Sequence, residues 1–311
     1  MSDVYSMTTE MQNLPESVVI FGCGYVGAAL AETLLEAGVR VGALTRNAEK
    51  AAQLREMGLS EVVVENLHEM AWHRKLSGSY DAVVNCVSSA GGGLEGYHQS
   101  YVKGQQSILK WAWGKAIRSY VYTGSTSVYP QDGGVEVDEA ADTSAAPPTG
   151  QLLLDSERTL VSASDQFDAW YVLRLAGIYG PGRHYLLDWL RSGESVIPGF
   201  GDYFLNLIHR DDIVSAICRL LANSVQENSG IYNLSDNSPT TKSEVVAWLA
   251  EKVNKPLPQF DPTQVSPRLQ HRGGRMPSRK ILNHKFCHTF KWKLAYPDFR
   301  VGYEELIKVA N

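Results

Sequence analysis

Cysteine is scarce in this 311-residue chain: Cys23, Cys86, Cys218 and Cys287 are four in number, and none belongs to a Cys-x-x-Cys pair. Four cysteines could make two bridges, but at this wide spacing a reduced, cytoplasmic chain is the expectation. No apolar run reaches the roughly 18 residues that span a bilayer. The polar start MSDVYSMTTEMQNLPES lacks the basic region and apolar stretch of a signal peptide, and residues 1–14 read as a flexible tail. Basic charge is not in excess either. Lys and Arg number 29 against 34 Asp and Glu, a net charge of −5, which removes the electrostatic reason to expect a nucleic-acid or membrane-surface partner. The eight histidines show no spacing such as His-Glu-x-x-His, so no metal is expected. Internal repeats and low-complexity segments are missing too.

What is present is an ordinary globular composition, 44% hydrophobic and 20% charged, enough for one large core or two unequal lobes. Short β-rich runs alternate with helical patterns through the first half. SVVIFG (17–22), RVGALTR (40–46), EVVVENL (61–67), DAVVNCVSS (81–89) and part of RSYVYTGSTSVY (118–129) read as strands. GAALAETLLEAG (27–38) and AEKAAQLREMG (48–58) read as helices closed by glycine. Apolar strands alternating with helices predict a parallel sheet covered on both faces. Later, AWYVLRLAGIYG (169–180) and GIYNLSD (230–236) read as strands and TKSEVVAWLAEKVN (241–254) as a helix. The proline-rich, basic run 256–280 reads as an irregular lobe.

The run VVIFGCGYVGAALAETL is strand, Gly-x-Gly-x-x-Gly, then helix. Gly22 permits the tight turn, Gly24 lets the backbone approach a pyrophosphate, and Gly27 lets the helix pack on the strand. With Tyr25 and Val26 they frame a helix N-terminus whose unpaired N–H groups suit an anion. At the end of the second strand stand Thr45, Arg46 and Asn47 in place of the acidic residue typical of an NAD site. A guanidinium matches a 2′-phosphate in charge and fork geometry, which favours NADP and leaves NAD open.

Further stretches, in order, carry a resemblance. YVYTGSTSVYP, VLRLAGIYGPGRH, NLIHRDDIVSAI, GIYNLSDNSPTTKSEV and RMPSRKILNHKFCHTFKWKLAYPDFRVGYEELI resemble the extended short-chain dehydrogenase/reductase family, which includes nucleotide-sugar epimerases and dehydratases. The likeness covers roughly residues 17–308. It implies an α/β fold, a Rossmann-type doubly wound parallel sheet with a smaller C-terminal substrate lobe. The cofactor-binding part would comprise 15–178 with 206–235 returning to it, and the substrate lobe 179–205 with 236–311. It also implies a small-molecule substrate in the cleft between them and, by analogy, a homodimer.

The family's chemistry rests on a serine or threonine with a Tyr-x-x-x-Lys pair, whose lysine lowers the tyrosine pKa toward the working pH. Ser125 matches the serine. Aligning the motif's glutamate on Glu157 puts Thr149 at the tyrosine and Leu153 at the lysine, and nowhere does a lysine follow a tyrosine by four. Asn66 replaces an aspartate near the adenine, Tyr101 an active-site asparagine, and Pro130 a glycine. Ser125 is therefore the first candidate catalytic residue, with Tyr129 and Tyr101 as substitute acids. Arg183 and Arg275 are candidate substrate ligands, Arg275 within the basic set Arg268, His271, Arg272, Arg275, Arg279 and Lys280. Asp211 or Asp212 is expected to cap a helix. Two readings stay open: an NAD(P)-dependent oxidoreductase or epimerase-like enzyme with a reworked centre, and a non-catalytic dinucleotide-binding redox sensor or scaffold.

Overall fold

The computed structural model describes residues 13–89, 91–223, 226–265 and 275–309. Seven parallel strands make the central sheet: β1 (Ser17–Phe21), β2 (Arg40–Thr45), β3 (Glu61–Val64), β4 (Ala82–Asn85), β5 (Ser119–Ser125), β6 (Ala169–Leu175) and β7 (Gly230–Leu234). Their spatial order is β7-β6-β5-β4-β1-β2-β3, so the winding reverses between β1 and β4 and opens a crevice beyond their carboxyl ends.

Strand β1 shows why the runs read as continuously apolar. Val18 and Ile20 enter the core on one face of the sheet, while Val19 and Phe21 enter the core on the other. The first face is covered by α1 (Tyr25–Glu36) and α6 (Arg210–Ala222). The second is covered by α3 (Gly104–Ala112), with Trp72 and Trp111 packed on Phe21. Between β2 and β3 lies α2 (Ala48–Glu56), and α4 (Pro148–Ser162) lies between β5 and β6.

A separate apolar cluster builds the C-terminal lobe. It joins α5 (Tyr185–Ser192), α7 (Lys242–Lys252) and α9 (Phe299–Val309) through Leu187, Leu190, Val245, Leu249, Phe299 and Tyr303. The helix α8 (His284–Phe290) instead sends Phe286 and Phe290 into the sheet's core.

Several local expectations are corrected. Leu14, read as the end of a loose tail, packs against the core; residues 1–12, and Arg268, His271 and Arg272, lie outside the described residues. The single strand read over 169–180 breaks at Ala176. Gly177–Tyr179 pairs instead with Leu207–His209, the two chains so close at Gly177 that a Cβ there would stand 2.9 Å from the Asn206 oxygen. The run 256–280 contributes Gln259–Asp261, paired with Val196–Pro198, and Arg279, which opens a strand paired with Val135–Val137. The cap of α6 is His209, whose Nδ1 accepts from the Asp211 N–H at 3.3 Å. Asp212 instead accepts from the N–H groups of Ala295 and Tyr296 at 2.7 and 3.1 Å, fastening the C-terminal segment.

Candidate dinucleotide and substrate site

The glycine loop joins β1 to α1 at the switch point. Gly22 has φ +89° and sits so close to the chain after β4 that a Cβ would stand 2.6 Å from the Val87 nitrogen, and a Cβ on Gly27 would meet the Gly22 oxygen at 2.5 Å. At Gly24 a Cβ would meet nothing within 4 Å, and no side chain caps α1. The open face of the loop therefore presents the first-turn N–H groups of Tyr25, Val26 and Gly27 to a ligand. These residues fit a dinucleotide pyrophosphate.

Tyr25 does more than supply an amide. Its hydroxyl donates to the Pro181 carbonyl at 3.0 Å, and the guanidinium groups of Arg183 and Arg210 lie 5.5 and 5.4 Å from its ring centroid. Arg183, read in the sequence as a substrate ligand, thus stands beside Tyr25 of the glycine loop. Beyond β2, Thr45 ends the strand and Arg46 is exposed; the register Phe21↔Leu44 sets both next to the loop. Asn47 caps α2, its Oδ1 accepting from the Lys50 N–H at 2.9 Å. Asn66, past β3, donates from Nδ2 to Glu69 at 2.9 Å.

Ser125 is the last residue of β5, and its Oγ accepts from the Ser127 N–H at 3.1 Å. The acceptor role closes the turn Thr126–Val128 and leaves the hydroxyl proton for a ligand. Tyr101 lies in a π-helical stretch, His98–Lys103, leading into α3. Such bulges recur at functional sites. Its hydroxyl accepts from the Ser89 N–H at 3.1 Å, and burial pushes its pKa up to about 12, which makes it a proton-bearing donor and a poor base. Tyr129 is placed differently: buried, it donates to Asn233 Oδ1 at 2.8 Å and accepts from Arg174 Nη1 at 2.9 Å. With its proton committed to Asn233, it has none to offer a substrate.

Residues 18–235 match the family model described as NAD dependent epimerase/dehydratase family. The chain belongs to that family. It is 24% identical over 291 residues to protein YeeZ of Escherichia coli K12, across 91% of this chain and 97% of the relative. Among solved structures it resembles a functionally unknown conserved protein from Silicibacter pomeroyi (TM-score 0.77, 23% identity, 94% and 99% of the two chains). It also resembles the UDP-glucuronic acid 4-epimerase of Bacillus cereus in complex with UDP-glucuronic acid and NAD (TM-score 0.76, 16% identity, 94% and 99%).

The segment expected from the sequence to stand at the tyrosine and lysine positions, Thr149 to Leu153, lies in the first turns of α4. Gly150 abuts the turn after β5, where a Cβ would stand 3.1 Å from the Ser127 oxygen, so the first turn of α4, which holds Thr149, lies beside that turn. Leu153, one helical turn on, is buried with Val128, Tyr129, Val137, Leu154 and Ile281. Leu153 is thus part of an apolar contact that also holds Val137 and Ile281.

Beside Tyr129 opens a cleft lined by Pro130, Asp132, Pro147, Arg275 and Met276. Arg275 is held by Asp202 (Nη2 to Oδ2, 2.7 Å) and lies over the Phe200 ring at 5.1 Å. Two features escaped the sequence reading. One is the buried ion pair of Arg174 with Glu157, signalled only by an arginine inside the apolar run VLRLAG. The other is Lys242, which the Thr241–Glu244 capping box places in the first turn of α7 without revealing that it is buried.

Proposed function

We propose that this family member is an NADP-preferring oxidoreductase or epimerase-like enzyme acting on a carbonyl or hydroxyl of a small, nucleotide-sugar-like substrate. The observation that carries the reading is the intact cradle: an uncapped α1 behind an open Gly24, with Arg46 at the end of β2. When bound, the dinucleotide supplies hydride exchange. The chain's part is to bind it, to orient the substrate, and to offer protons at fixed oxygens. Ser125 and Tyr101 each have a hydroxyl whose acceptor role is filled by a backbone N–H. Each proton is free to polarise a substrate oxygen. Arg183 and Arg210, over Tyr25, add positive charge on the cofactor side, and Arg275 does so in the substrate cleft. A neighbour bound to UDP-glucuronic acid and NAD supports a substrate of that general kind.

A second reading, a dinucleotide-binding sensor or scaffold without turnover, is favoured by Leu153, whose apolar burial removes the lysine charge that would bring a tyrosine pKa down. Fluorescence titration with NADPH and NADH, followed by a carbonyl-substrate screen, separates the readings. Binding with NADPH consumption supports the enzyme, binding without any turnover supports the sensor, and no binding of either nucleotide ends both.

A further inference from the structure

The glycine loop, residues 22–27, reaches a distant part of the chain through the side chain of Tyr25. This residue opens α1, and its hydroxyl donates at 3.0 Å to the carbonyl of Pro181, 156 positions on. Burial holds the tyrosine's pKa above its ordinary value, against the pull of Arg210 and Arg183, so the hydroxyl keeps the proton that makes this bond. The receiving turn is built for close approach. Gly180 and Arg183 exchange backbone hydrogen bonds at 3.2 and 3.0 Å, and Gly180 has φ +143°. A Cβ on Gly180 would stand 2.9 Å from the Tyr25 hydroxyl and 3.1 Å from His209 Nε2, so glycine is what lets the turn seat there.

The turn is anchored in the C-terminal lobe. Tyr179 before it and Leu186 and Leu187 after it are buried in that lobe's apolar cluster, and the Tyr179 ring stacks on Tyr303 of α9 at 5.0 Å. Its tip lies against the glycine loop, where Arg183 from the turn and Arg210 from α6 both stand over the Tyr25 ring. An anion at the first-turn N–H groups of α1 attracts the Arg183 charge, which the turn carries, and so favours the seated turn over a lifted one. That is the differential interaction a ligand needs to bias a conformation. From these contacts we infer that Tyr25 is a positioning residue. It latches the turn 180–183 to the glycine loop, so that a dinucleotide on the loop fixes the C-terminal lobe and with it the substrate cleft. The inference rests on the cofactor reading above and adds to it a coupling between the two ligand sites.

Hydrogen-exchange mass spectrometry of the full chain, alone and saturated with NADPH, tests the latch. In the wild type NADPH slows exchange both in the glycine loop and in peptides covering residues 177–187. Without nucleotide, Tyr25→Phe speeds exchange of the second segment by about three- to tenfold, the scale of one hydrogen bond. With NADPH bound to that variant, the glycine loop is protected and the turn is not. A tyrosine with a merely structural role would instead raise the turn's exchange by the same factor with and without nucleotide. Arg183→Gln keeps the hydroxyl bond, so its nucleotide-free rates match the wild type, while the NADPH effect on the turn falls by about two- to fivefold, the range of an exposed charge pair. Unchanged exchange of the turn in nucleotide-free Tyr25→Phe, or full NADPH protection of the turn in either variant, overturns the inference. Protection of the glycine loop alone in the wild type overturns it too and leaves the cofactor reading standing, whereas protection of neither segment ends both.

Discussion

Arg174 and Glu157 are joined by two parallel hydrogen bonds, Nε to Oε1 at 3.0 Å and Nη2 to Oε2 at 2.7 Å, with both side chains buried. The remaining edge of the guanidinium donates to the Tyr129 hydroxyl, which donates to Asn233, whose backbone N–H in turn donates to Glu139 at 2.7 Å. One polar chain therefore ties α4, β6, the turn after β5 and the edge strand β7 together beneath the cleft. Removing one partner leaves an uncompensated buried charge, so Glu157→Ala should destabilise the protein by about 3–5 kcal/mol. Urea unfolding should show this as a lower midpoint at unchanged slope. The double variant Glu157→Leu/Arg174→Leu should recover much of the loss, because neither charge is then stranded.

Arg46 is predicted to read the 2′-phosphate. Arg46→Ala should weaken NADPH by about tenfold or more, the worth of a charge-assisted hydrogen bond, and leave NADH nearly untouched. Equal weakening of both nucleotides would place Arg46 outside that role.

Ser125→Ala should leave dinucleotide affinity unchanged and reduce kcat on any carbonyl substrate by about 100-fold, the usual scale for losing a donor to a developing oxyanion. Tyr101→Phe should do the same to a smaller degree. Tyr129→Phe should act differently, lowering stability by about 1–3 kcal/mol because Asn233 and Arg174 each lose a buried partner.

Leu153→Lys, which places a lysine where the sequence resemblance expects one, should not restore the chemistry. The ammonium would enter the cluster of Val128, Val137, Leu154 and Ile281. The lost apolar contact and the desolvated charge together should cost more than about 3 kcal/mol. Thermal melting of Leu153→Lys and of Thr149→Tyr/Leu153→Lys checks this, with a clear drop expected in both.

Asp236 is buried, and desolvation, with Asp298 and Asp212 nearby, raises its pKa to about 7. The folded state then holds this proton over a range where the unfolded chain, with a carboxyl near its ordinary value of about 3.9, has released it. That contribution to stability is complete below pH 4 and is lost as pH rises toward 7, at about 1.4 kcal/mol for each unit of difference. Asp236→Asn, which keeps the acceptor for the Ser238 N–H, should therefore melt higher than wild type at pH 8 and close to it at pH 4.

By itself the sequence determined the alternation of strands and helices and the position of the glycine loop. Those signals are local. Apolar periodicity is set by residues a few positions apart, and the glycine loop at Gly22 is written in six consecutive residues. The absence of any Tyr-x-x-x-Lys spacing was equally visible, since it needs only a spacing of four. Only the tertiary structure decided which side chains are buried and what they meet. Val135–Val137 joins a strand that begins at Arg279, Arg183 lies over the Tyr25 ring, and Tyr129 exhausts its hydroxyl on Asn233 and Arg174. Lys242 looks like any surface lysine until Tyr203 and Phe260 close over it. Each of these depends on segments far apart in the chain, whose meeting is fixed by how the sheet and the C-terminal lobe pack and has no local pattern to announce it.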